Sequence, residues 1–245
     1  MSKLLVMIAG ESGQGKSASL MNFRNPESVF YLGVEANKPL PFPDKFKKLK
    51  SGLNNPNDVF NLFNQLENMP EIETIVIDSI TFLMDMFESK NVLGSANTMK
   101  SWSDYQQYFK QIMQDIVAKS SKNWIFIAHN TAELQNDGTY KYYVPVKGAL
   151  KNQGAEAYFS IIVYARRVKI TELEALPYDE NLLHITERDR LVGYKHVFQC
   201  EVTKEFANSR IRSPIGCFAS NQIFMDNDTQ LLLDHLNKYY GFEAN

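Results

Sequence analysis

The stretch Gly10-Glu11-Ser12-Gly13-Gln14-Gly15-Lys16-Ser17 decides how this chain is read. It has the form G-x-x-x-x-G-K-[ST]. In that pattern glycines let the backbone wrap so that successive N–H groups face phosphate oxygens, and a lysine and a magnesium-binding hydroxyl follow. The cation is Lys16 and the hydroxyl Ser17, with Ala18 continuing the cradle. Residues 4–9 just upstream are continuously apolar, as suits a strand covered on both faces in a parallel sheet. A helix is expected to start near Lys16. The order strand, glycine-rich loop, helix separates a phosphate cradle from a chance glycine turn.

Outward from this loop, residues 28–34 form a second apolar run, and prolines at 39, 41 and 43 prevent its continuation. Residues 57–68 place Val59, Phe60, Leu62, Phe63 and Leu66 at helical spacing, with Asn57 or Asp58 as cap. Residues 73–79 read as a third buried strand ending in Asp78, residues 101–119 as a helix, and residues 123–129 as a fourth buried strand ending in His129. Strand character returns at 158–168, before a more antiparallel-looking C-terminal region. This alternation predicts an α/β fold: a mostly parallel twisted sheet flanked by helices, antiparallel toward the C-terminus, in a single domain over residues 1–245. Its ligand site belongs beyond the carboxyl ends of the strands.

A formal net charge of -2 gives no global drive toward polyanions, so nucleic-acid binding would need a local basic patch. Cys200 and Cys217 lack metal-type spacing and are expected to be buried thiols in a reduced, cytoplasmic setting. His129, His184, His196 and His235 show no paired spacing, and no G-x-S-x-G nucleophile elbow occurs. No apolar run reaches about 18 residues, so no membrane span is expected.

The strand ends carry the remaining chemistry. Asp78, about 60 residues past the loop at a strand terminus, is placed to coordinate magnesium together with Ser17, or else is a surface carboxylate. Ser79 either bonds the neighbouring site or caps the next helix. Glu35, after the second strand, is the candidate base that orients or deprotonates an attacking water, or else a solvated glutamate opening a loop. It is expected beside the phosphate loop. His129 either senses a terminal phosphate or is a satisfied buried histidine.

With the phosphate loop on the first strand, an acid after the second, Asp78-Ser79 after the third and a polar residue ending the fourth, the chain resembles the RecA-type ATPase core. Gly10-Glu11-Ser12-Gly13, Phe126-Ile127-Ala128-His129, Arg212-Ser213-Pro214-Ile215-Gly216, Asn227-Asp228 and Tyr239-Tyr240 further resemble phage-encoded RecA-like ATPases of the AAA type. Some of those act as single-strand annealing proteins in recombination. The resemblance implies ATP and Mg²⁺ as cofactors, Glu35 as the hydrolytic carboxylate, and a homo-oligomer with nucleotide at subunit interfaces. It further implies a finger from the neighbouring subunit, Lys204 with Arg210 or Arg212 as rivals, and action on single-stranded DNA with a single-strand-binding protein as a possible partner. In a phage setting the compartment would be the cytoplasm of the bacterial host. The chain enters its first strand at once, unlike recombinases with an N-terminal assembly segment, which makes strand exchange less expected than ATP binding.

Residues 130–152 carry Tyr140, Lys141, Tyr142, Tyr143, Lys147 and Lys151, a mixture of stacking faces and cations that single strands favour. The resemblance places a DNA-contacting loop here. Taken alone, residues 140–144 read as a short strand with half-buried tyrosines. Residues 45–50 form a second basic cluster that reads mainly as a solvated face, and residues 166–169 form a third; residues 94–101 read as a polar loop that either closes over DNA in an oligomer or is disordered.

Overall fold

The protein, seen in a computed structural model, is described over residues 3–35, 38–136 and 138–242. The apolar run becomes β1 (Leu5–Gly10), and the next become β2 (Val29–Gly33), β3 (Thr74–Asp78) and β4 (Asn123–His129). Between them lie α1 (Asp58–Glu67), α2 (Ile80–Phe87) and α3 (Thr98–Gln111), the last extended by a π turn at Ile112–Ile116. A hairpin of β5 (Thr131–Leu134) and β6 (Tyr140–Tyr143) follows, then a short α4 (Leu150–Gln153) and the long β7 (Ile161–Lys169). The chain closes with α5 (Ile170–Glu174), α6 (Glu187–Val192), β8 (Tyr194–Gln199), β9 (Phe224–Asp226) and α7 (Thr229–Tyr240).

The seven-stranded sheet has the order β2-β3-β4-β1-β7-β8-β9. The first five strands in that order are parallel, and β8 and β9 are antiparallel additions at the C-terminal end of the chain. The chain leaves β1 for the far edge at β2, returns through β3 and β4, then passes over β1 to β7. Strand β1 is therefore flanked by the points where the winding reverses, and a crevice opens there at the carboxyl ends. Its terminal Gly10 pairs with His129 of β4, which sets the loop beside that histidine.

Parallel strands must be covered on both faces, and the side chains divide accordingly. Met7, Ile75, Ile77, Trp124 and Phe126 meet Val59, Phe63, Leu83 and Phe109 from α1, α2 and α3. The Phe63 and Trp124 rings meet edge to face at 5.0 Å. Val6, Ile8, Ile125 and Ile127 point to the other face, where Leu232, Leu233 and Leu236 of α7 cover them. Burying each such side chain is worth about 1.5–3 kcal/mol. Gly10 is required by this close packing, since a Cβ there would lie 2.6 Å from the Ala165 carbonyl oxygen of β7.

Three expectations are corrected. No α-helix begins near Lys16; one 3-10 turn, Ser17–Leu20, takes its place. Ser19 bonds the Lys16 carbonyl through its side chain, and Pro26 lies too close downstream for a helix to lengthen. Strand β2 is the sheet edge, three strands from β1, so Glu35 comes to the phosphate loop from beyond the edge strand and not from a strand that neighbours β1. The expected loop at 94–101 already starts a helix at Thr98, capped by Asn97, whose side chain accepts the Lys100 N–H at 3.0 Å. Among the described residues no helix is long and apolar enough to cross a membrane.

Candidate functional site

Beyond Gly10 the loop turns on Gly13 and Gly15, whose φ angles of 77° and 91° are left-handed conformations that side chains resist. Lys16 bends back across the loop, and its ammonium donates to the carbonyls of Gly10 and Glu11, each at 2.8 Å. Only 6% of Lys16 is exposed. That burial pulls its pKa down to about 8, although the Asp78 and Glu35 carboxylates oppose the fall.

Asp78 ends β3 with 3% exposure, and one of its oxygens accepts two hydroxyls, Ser17 at 2.6 Å and Tyr31 at 2.8 Å. Burial raises its pKa, and these two hydrogen bonds work against the rise. A hydroxyl and a carboxylate joined in this way form an oxygen donor set suited to a hard cation such as Mg²⁺. Ser79 is resolved as a cap: its hydroxyl accepts the Phe82 N–H at the start of α2.

Although its strand lies at the edge, Glu35 reaches the centre. Its carboxylate is 2.8 Å from His129 Nε2, and His129 Nδ1 is 3.5 Å from the Lys16 ammonium. The Phe82 ring stands edge to face against the imidazole at 5.4 Å, and Thr81 accepts the His129 backbone N–H at 3.3 Å. Glu35, His129 and Lys16 thus form a continuous polar chain along one wall. Together with Tyr31, Asp78 and the prolines at 39 and 41, they line a cleft of about 350 Å³ that also takes in Ser12, Gly13, Gly15, Ser17 and Ala18 of the loop.

Several contributors were not evident in the sequence. Tyr31 sits inside a purely apolar run and supplies the second hydroxyl to Asp78. His196 comes from β8 and lines the cleft, and burial lowers its pKa. Asn227 donates to the Gly15 carbonyl at 2.8 Å. Gln14 accepts the Arg167 backbone N–H at 2.7 Å, tying the loop to β7 as well. Residues more than 150 positions away leave no local signal of such contacts.

The remaining candidates lie outside the cleft. Lys204 is exposed, and the guanidinium of Arg212 donates to the Phe159 carbonyl at 3.1 Å. Arg210 is ion-paired at 3.2 Å with the buried Glu156. Tyr140 and Lys141 lie on the β5–β6 hairpin, Tyr140 being 48% exposed and Lys141 sitting 5.7 Å from the Tyr143 ring. Tyr142 instead packs inward, stacked on Phe206 at 4.8 Å. Lys147 pairs with Glu88 at 2.6 Å, and Lys151 is exposed on α4.

A phosphate loop at the end of a central parallel strand, with a buried lysine, a serine–aspartate pair and a histidine at the adjoining strand end, defines a P-loop nucleotide-binding protein. The family model described as an AAA domain matches residues 2–197, and the chain belongs to that family. No curated protein matches the sequence. Among solved structures, the chain is similar to a KaiC-like protein from the hyperthermophilic archaeon Pyrococcus horikoshii OT3. The two share 10% identity, 86% of this chain and 82% of that chain are covered, and the TM-score is 0.41.

Proposed function

We propose that this protein is a magnesium-dependent ATPase with a RecA-like core that acts on single-stranded DNA as an oligomer, in phage recombination or replication. One observation carries the coupling. His129 touches the carboxylate of Glu35 and approaches Lys16, and two residues later, at Thr131, the exposed hairpin begins. A change at the nucleotide and a change at the hairpin therefore act on the same strand end.

In this reading the loop N–H groups and Lys16 bind the phosphate chain, while Ser17 and Asp78 hold Mg²⁺. When bound, that ion neutralises charge on the phosphate oxygens. Tyr31 fixes the Asp78 carboxylate. Glu35 orients the attacking water and takes its proton, and His129 holds Glu35 in register through their 2.8 Å contact. In an oligomer, Lys204 or Arg212 of a neighbouring copy supplies the cation that spreading phosphoryl charge calls for. Tyr140, Lys141, Lys147 and Lys151 offer stacking and charge to a single strand. Lys147 would have to exchange its pairing with Glu88 for a phosphate.

A second reading has its own support. Leu134, 63% exposed, lies directly across the hairpin from the exposed Tyr140, an apolar pair that suits a protein partner. One experiment separates the two. Phosphate release and oligomer size are measured with and without a saturating single-stranded oligonucleotide at low salt, where phosphate contacts are strongest. DNA coupling predicts faster turnover and a larger particle. Unchanged rate and size would leave the nucleotide-switched protein contact as the function.

A further inference from the structure

The loop lacks its expected support. A long helix after a phosphate loop would fix the last N–H groups through successive i to i−4 bonds. Here one such bond, from the Ser19 N–H to the Gly15 carbonyl at 3.0 Å, is followed only by the short Ser17–Leu20 turn. The missing support arrives from the opposite end of the chain.

We propose that Asn227, Asp228 and Thr229, at the start of α7, position the phosphate loop and thereby set its affinity for the phosphate chain of a nucleotide. This rests on the reading of residues 10–18 as the phosphate site. Asn227 and Thr229 touch the loop and the turn after it, and Asp228 holds Asn22 just beyond that turn. Asn227 Nδ2 donates to the Gly15 carbonyl at 2.8 Å, so close that a Cβ on Gly15 would lie 2.7 Å from that nitrogen. The Thr229 hydroxyl meets the Ser19 hydroxyl at 2.8 Å in a fully buried contact, and Ser19 in turn bonds the Lys16 carbonyl at 2.6 Å. Asp228 accepts Asn22 Nδ2 on one oxygen at 2.6 Å and caps α7 with the other, through the Leu231 N–H at 3.1 Å.

The brace is rigid because α7 is anchored. Leu232, Leu233 and Leu236 sit in the core beneath the sheet, and the Gln230 side chain accepts the Arg24 N–H at 3.2 Å. The turn is thus clamped between a buried helix and β1. Every residue of the brace lies beyond position 197, where the AAA-domain match ends. The cradle of this chain is completed by a segment outside its family region.

The test uses two variants that preserve shape, Asn227→Asp and Thr229→Val. The first replaces the donor facing the Gly15 carbonyl with an acceptor, and the second removes one buried hydroxyl. Affinities for ATP, ADP and adenosine are measured by displacement of a fluorescent methylanthraniloyl-ATP, with folding checked by thermal melting. Loss of one positioning hydrogen bond is expected to weaken ATP and ADP about tenfold and to leave adenosine unchanged. A merely structural role would weaken all three ligands together. Equal losses, or ATP affinities within about twofold of the parent in both variants, would overturn the proposal. Lys16→Ala measured alongside keeps the two readings apart. If it binds ATP like the parent, the phosphate-site reading falls and the brace with it. If only Lys16→Ala loses affinity, the brace alone is refuted.

Discussion

Replacing Lys16 with alanine should weaken ATP binding by roughly a hundredfold or more, the effect of deleting a buried cation that faces a desolvated anion. The expectation follows from where the side chain is held. Lys16 is 6% exposed, and its ammonium already reaches back across the loop to the carbonyls of Gly10 and Glu11, each at 2.8 Å. A phosphate entering the cradle meets a charge that is already largely desolvated, so little further is lost on binding. Truncation also leaves the Glu11 carbonyl without its donor, while the Gly10 carbonyl keeps the Asn130 N–H at 3.2 Å, and the unpaired group should lower stability by about 1–3 kcal/mol. Binding is therefore compared with the parent by titration after a thermal melt shows the variant folded. Affinity within a few-fold of the parent would remove Lys16 from the site.

Glu35→Gln should behave in the opposite way, with ATP binding nearly intact and single-turnover hydrolysis slower by about 10²–10⁴-fold, the usual contribution of a general base. Glutamine matches glutamate in shape and can keep the contact with His129 by using its amide, so the wall of the cleft is preserved. What disappears is the acceptor for the proton of water. Quenched-flow measurement of phosphate release from prebound ATP separates this step from binding. Retained turnover would assign the base elsewhere. If affinity fell together with rate, Glu35 would be a binding residue instead.

The parts of this molecule governed by local physics were readable from sequence. Unbroken apolar runs gave the central strands, because a strand covered on both faces can carry little else. The glycine spacing gave the loop, since Gly13 and Gly15 occupy backbone angles that few other residues tolerate. Asp78 was identified by its place at a strand end and does meet Ser17. Ser79 had two equal readings, and the backbone decided for the cap.

What escaped depended on long-range packing. Nothing in residues 28–34 states that β2 is an edge strand, and Glu35 joins the site only because the chain beyond β2 carries it across to His129. The helix expected after Lys16 gave way to a brace supplied by residues more than 200 positions away, a distance over which sequence periodicity carries no information. Asp228 ahead of an apolar-faced segment does mark a helix start, but not where that helix docks. Likewise the tyrosines of 140–143 carried the alternation of a strand, and only the fold shows that Tyr140 stays exposed while Tyr142 stacks inward on Phe206.

The central claim, that residues 10–18 cradle the phosphates of ATP with Ser17 and Asp78 holding the metal, is tested most directly by calorimetric titration of the unmodified protein with ATP, with and without Mg²⁺. The account predicts saturable binding of one ATP per chain that tightens when Mg²⁺ is present. Absence of saturable heat under both conditions, or an affinity indifferent to Mg²⁺, would contradict it.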